Sequence, residues 1–238
     1  MDSILYLGFA AAYLALLVWG VILLGRRGRP VVSDLVLLVV LGLVYDNAIL
    51  GFGAMIGDGA ALETANGARF WIHALATPLL VLVAWSILVR AGVRWAARPA
   101  AVVLAILITL ALVAYEIAVG ASQVSLEPVR EYGTLSYDDT NAAAGPPLMV
   151  LVVAAALLVA GIGIWIRQGW PWLTVVTVIM VVGSAIPIPI PSGAATNAFE
   201  LILLIGIVAT IAYQDARSRR STVPDAEAGR PAQGTTGL

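Results

Sequence analysis

Seven long apolar runs leave this chain few ways to fold. They cover approximately residues 3–25, 31–56, 69–90, 98–120, 146–166, 171–186 and 194–214. A helix of about 20 apolar residues matches a hydrocarbon core of roughly 30 Å, and only helices or closed barrels satisfy their backbone hydrogen bonds there. The expected fold is all-α, a polytopic integral membrane protein with seven transmembrane helices. Only 11% of the 238 residues are charged, against roughly 25% in soluble domains, which leaves little room for a separate soluble domain. Residues 1–215 form the expected transmembrane domain, and 216–238, rich in Arg, Ser, Pro, Gly and Thr, a disordered cytoplasmic tail.

Arginine placement sets the expected orientation. Eleven arginines, among them Arg26, Arg27, Arg29, Arg90, Arg94 and Arg98, fall after the odd-numbered runs, and only Arg69 and Arg130 fall on the other side. Because cytoplasmic loops collect basic residues, the N-terminus is expected outside and the C-terminus inside, in a multi-pass protein of the plasma membrane. Met1-Asp2-Ser3 lacks the basic start of a cleaved signal peptide, so the first run is expected to be retained.

Several classes of function fall away on residue counts. Without cysteine, thiolate metal sites, disulfides and cysteine nucleophiles are excluded, and one histidine makes a poor metal site. The net charge of −1 suggests no nucleic-acid partner. All thirteen basic residues are arginine; with no lysine to form a Schiff base, a covalent retinal pigment is ruled out.

The polar residues that remain inside the runs are the informative ones. Tyr45-Asp46-Asn47 lies some 15 residues into the second run, in its outer half at about 1.5 Å per residue. Arg69, His73 and Thr77 recur at four-residue spacing and so share one helix face, beside Trp71. The fourth run reaches Tyr115-Glu116 near its outer end, and the last carries Thr196, Asn197 and Glu200 on one face. Ionisable groups at membrane depth are costly and point to function. Between the second and third runs lie Asp58, Glu63 and Asn66, and the glycines at 51, 53, 57 and 59 fit close helix approach rather than a phosphate loop. Residues 121–145, with Tyr132 and Tyr137, form one long outer loop suited to capping the bundle mouth. The prolines of Ile186–Pro191 are a candidate pocket wall.

These residues predict a cavity open to the outer side, with Asp46, Glu200, Glu116 and Glu63 as candidate acid and base groups. Tyr45, Asn47, Arg69, Trp71, His73, Tyr115 and Asn197 are the candidate substrate contacts. A desolvated carboxylic acid can protonate an alkene or epoxide while a second base takes up the final proton, and aromatic faces stabilise a cation between those steps. No cofactor or metal is required. The size, the seven runs and the intramembrane acids resemble the small membrane-bound terpene cyclases of meroterpenoid and of indole or diketopiperazine terpenoid pathways. That resemblance implies a lipophilic isoprenoid substrate, with Glu63 or Asp46 matching the family's acid near the second span and Glu200 the acid of the last. A proton-coupled small-solute transporter and a non-catalytic scaffold are the alternatives, and the apolar inner halves of the runs argue against the first.

Overall fold

The computed structural model describes residues 2–141, 148–185 and 192–222. Helix α1 (Asp2–Arg27) is followed by a single 3-10 turn, Val32–Leu35, that leads into α2 (Val36–Ile56). Asp34 nucleates this turn, accepting from the Val31 amide and from Arg27, each at 2.7 Å. Helices α3 (Ala60–Ala76) and α4 (Leu79–Arg90) meet at Thr77-Pro78, where proline has no N–H to continue the ladder. Helix α5 (Pro99–Tyr115) opens with proline in its first turn and ends in a π-helical turn, Glu116–Ala121. Helices α6 (Leu148–Gln168), α7 (Trp172–Ala185) and α8 (Ala195–Thr222) complete the bundle.

Among the described residues, six helical segments are long and apolar enough to cross a membrane, α3 and α4 counting together as one of 31 residues. The seventh apolar helix, α7, has 14 residues, about 21 Å at 1.5 Å per residue. The outward faces are greasy: Val103, Leu104, Leu107 and Leu110 of α5 are each more than half exposed. A helix facing water would be polar there.

Two features amend the all-α, tail-ended expectation. Part of the long loop forms a two-stranded antiparallel sheet, β1 (Leu126–Glu131) and β2 (Thr134–Asp139). The tight turn at Tyr132-Gly133 puts both residues at positive φ, 49° and 85°, as a type I′ hairpin turn requires. The last helix also continues through Thr222, so residues 216–222 are helical rather than part of a disordered tail. The proline-rich segment 186–191 and residues 223–238 lie outside the described residues.

The core is mainly apolar, with Tyr13, Val40, Val83, Ile87, Leu157 and Ile207 each without solvent exposure. Without a hydrophobic force between lipid-immersed helices, such bundles rely on close packing, which small residues permit. Gly161 shows this at the α6–α7 crossing, where an added β-carbon would come within 2.7 Å of the Thr174 amide nitrogen.

The hairpin sits as a roof on one end of the bundle, the hairpin end; the opposite end, near Arg27, Arg90 and Arg167, is the arginine end. Tyr137 donates to Asp58 Oδ1 at 2.6 Å, the Tyr132 carbonyl accepts from the Asp2 amide at 3.2 Å, and Gly133 accepts from Ser3 at 2.9 Å. Donation to Asp58 pushes the Tyr137 phenol above its ordinary value, because losing that proton would place two negative charges together. A β-carbon at Gly53 would overlap the Leu135 carbonyl. Gly53→Ala is therefore expected to lift the hairpin, costing about 1–3 kcal/mol and opening residues 126–139 to protease in detergent. Gly8→Ala, which meets nothing within 4 Å, should melt and digest as the parent does.

Candidate functional site

Polar side chains from four helices converge under the hairpin. Arg69 on α3 donates through Nε to Asp46 Oδ1 on α2 at 2.7 Å and through Nη1 to Asn66 Oδ1 at 2.7 Å. Neither member of the ion pair is fully buried, the side chains being 14% and 25% exposed. Beside it, Asn197 on α8 donates to Asn47 Oδ1 at 2.7 Å, and the wholly buried Asn47 donates to the Leu43 carbonyl at 2.9 Å. Tyr13 on α1 donates to the Asn197 carbonyl at 3.2 Å. The chain of bonds ties α1, α2, α3 and α8 together at one level.

Below this layer lies a cavity of about 90 Å³ between α2, α3, α6, α7 and α8. Its walls are chiefly aliphatic, from Val39, Leu43, Val153, Leu157, Leu203 and Leu204, and its polar residues include Asp46, Arg69, His73 and Glu200. Above it, a polar chamber of about 360 Å³ shares those four residues and extends to Asp2, Glu131, Asp138 and Asn197 under the hairpin. That volume falls within the roughly 300–1,000 Å³ usual for small-molecule sites. A third cavity of about 240 Å³ places Glu116 and Asp139 with Asp46, Arg69 and His73. Asp46, Arg69 and His73 thus border all three spaces.

The four-residue stripe expected on α3 is realised, since Arg69, His73 and Thr77 all line the apolar cavity. His73 Nδ1 and Thr77 Oγ1 lie 3.2 Å apart; the imidazole tautomer sets which of them donates. Among the described residues Glu200 has neither hydrogen bond nor ion pair, so its carboxyl is free to meet a ligand where the apolar and polar spaces join.

Several expected site residues stand elsewhere. Glu63, in the exposed first turn of α3, lines none of these cavities. Trp71 and Tyr115 are 43% and 40% exposed and also lie outside them. Tyr45 instead donates to the Ala65 carbonyl at 3.0 Å, a contact between α2 and α3. Asn47 touches Asn197 and borders none of the three spaces.

One residue of the polar chamber had no signal beyond its place in a helix's first turn. Asp2 is 3% exposed and accepts from Ser192 Oγ and the Gly193 amide, both at 2.9 Å. Its partners are some 190 residues away in sequence, beyond any local pattern. No known protein family, curated protein or solved structure matches this chain.

The Asp46–Arg69 pair is testable apart from any activity. In a double-mutant cycle with Asp46→Asn and Arg69→Gln, thermal unfolding in detergent should return a coupling energy of about 1–3 kcal/mol. Additive single effects would mean that the pair holds nothing together.

Proposed function

We propose that the chain is a seven-span plasma-membrane enzyme, N-terminus outside, that cyclises a lipophilic isoprenoid substrate by acid and base chemistry. The observation carrying this reading is the position of Glu200, Asp46 and His73 where a greasy cavity meets a polar chamber. An amphiphile fits such a junction with its hydrocarbon among Val153, Leu157 and Leu204 and its polar end toward the hairpin.

Glu200 is the proton donor in this scheme. Among the described residues it has no cationic partner, whereas Asp46 already holds Arg69. Transfer of the Glu200 proton to an epoxide oxygen or alkene carbon breaks the C–O or π bond and leaves a carbocation. A second π bond of the substrate attacks that cation and closes a ring. The final cation loses a neighbouring proton to His73 or to the Asp46 carboxylate. The reaction is an isomerisation, balanced in atoms and electrons without a co-reactant, once the proton returns to Glu200. Glu116, across the third cavity from His73, offers a proton store on the way back.

A proton-coupled transporter is the second reading, favoured by a separate polar cavity at the arginine end. Against it, the two ends share no lining residue. Buried Val36, Val83, Ile87, Ile207, Val208 and Ile211 lie along α2, α4 and α8 between them.

General acid catalysis contributes about 10²–10⁴-fold, so Glu200→Gln should lower turnover of a prenylated epoxide or olefin by at least about 10²-fold. Product would be followed by mass spectrometry in membranes containing the correctly inserted variant. Glu63→Gln should turn over as the parent does. Full activity in both Glu200→Gln and Asp46→Asn would end the carboxylate mechanism, and pH-driven solute uptake by sealed proteoliposomes would favour transport instead.

A further inference from the structure

The arginine end holds a second polar centre that the cyclase reading does not use. Asp215 of α8, 3% exposed, is paired with Arg90 of α4 and lies 3.7 Å from Arg27 Nε of α1. Arg27 in turn donates through Nη2 to Asp34 at 2.7 Å. Arg90 also reaches Ser33 Oγ at 3.3 Å, and Gln214 donates to the Ile87 carbonyl at 3.0 Å. Four helical elements therefore meet at two carboxylates and two guanidiniums, a neutral set.

The surroundings of that set are not neutral. A cavity of about 570 Å³ opens beside it, lined by Arg26, Arg27, Arg29, Arg90 and Arg219 against the single carboxylate of Asp215. Arg26 and Arg29 have, among the described residues, no side-chain hydrogen bond or ion pair, while Arg27 Nε and Nη1 are buried without a hydrogen-bond partner, Nε facing the equally unpaired Oδ2 of Asp215 at 3.7 Å. Buried N–H groups of a charged side chain are costly to leave unmet, and a guanidinium is suited to paired bonds with phosphate oxygens. Val32 and Trp85 form an apolar wall to the same cavity, which suits a ligand with hydrocarbon next to its anionic group.

We propose that this cavity binds a phosphate-bearing anion, whose oxygens accept from the exposed guanidiniums of Arg26 and Arg29 within the field of Arg27 and Arg90. A phospholipid headgroup and a free phosphate compound share that chemistry. The site is local, and this separates it from the diffuse attraction of any basic surface to an anionic membrane. Arg94 and Arg98 are exposed at the same end and outside the cavity, so they serve as the comparison.

The experiment uses the full chain in neutral detergent and measures binding of short-chain phosphatidylglycerol in one arm and inorganic phosphate in the other. Arg26→Gln with Arg29→Gln should weaken binding at least tenfold, and Arg94→Gln with Arg98→Gln by less than twofold. Both pairs leave the Asp215–Arg90 and Arg27–Asp34 bonds intact, so a folding failure is not expected to intervene, and the melting temperature of each variant checks this. Binding of phosphatidylglycerol alone makes the ligand a lipid headgroup, and binding of phosphate as well makes it a phosphate compound from solution; each supports the site. No saturable binding in either arm, or equal losses from the two arginine pairs, overturns it.

Discussion

Polar side chains enclosed by an apolar bundle must satisfy one another, and the tertiary structure of this chain hangs on two places where they do. At the hairpin end, Arg69 joins α3 to α2 through Asp46, and Asn197 joins α8 to α2 through Asn47 while its carbonyl holds Tyr13 of α1. At the arginine end, Asp215 joins α8 to α4 and draws in α1 through Arg27. Apolar packing between the ends has no directional preference, and lipid tails compete for the same contacts. The register of one helix against the next is therefore set where hydrogen bonds have only one partner to find. Trp170 shows the same economy near α6 and α8: it stacks on Tyr213 at 4.4 Å and donates to Thr210.

The two polar ends also explain why the interior space lies where it does. Arg69 and Asp46 stand side by side and line the room that remains beneath the hairpin. The aliphatic core then narrows this room to the smaller cavity facing Leu157 and Leu204. Farther along the same helices, Val36, Val83, Ile87, Ile207 and Val208 are buried between this room and the arginine end. A ligand that enters from the hairpin end meets polar walls first and hydrocarbon last.

Features written locally were legible in the sequence, and those that depend on distant partners were not. The stripe of Arg69, His73 and Thr77 follows from helical periodicity alone, and the shared level of Asp46, Asn197 and Glu200 follows from counting along their runs. Glu63 failed for an equally local reason: α3 starts at Ala60, nine residues before the apolar run expected there, so Glu63 falls on an exposed first turn. The hairpin was hidden because its turn is Tyr132-Gly133, without the Asn-Gly or Asp-Gly signal that usually marks such turns. Asp215 gives no signal in the sequence, because it stands at the last position of the expected transmembrane domain, where hydropathy is already falling. It is instead among the most buried charges in the chain, since its ionic partners come from the first and fourth helices.

The carboxyl groups of Asp46, Glu116 and Glu200 differ in what surrounds them. Asp46 is committed to a guanidinium 2.7 Å away, so it can stabilise positive charge or receive a proton. Glu200 faces the same space without a partner. Glu116 begins a π-helical turn, a local widening often found at functional sites, and reaches the centre only through a third cavity that it shares with Asp46, Arg69 and His73. One fold can run acid and base steps at the same pH only when its titratable groups sit in unlike environments. Here the unlikeness comes from Arg69: among the described residues it is the one arginine that lines the junction, and its bond to Asp46 leaves Glu200 without a cationic partner.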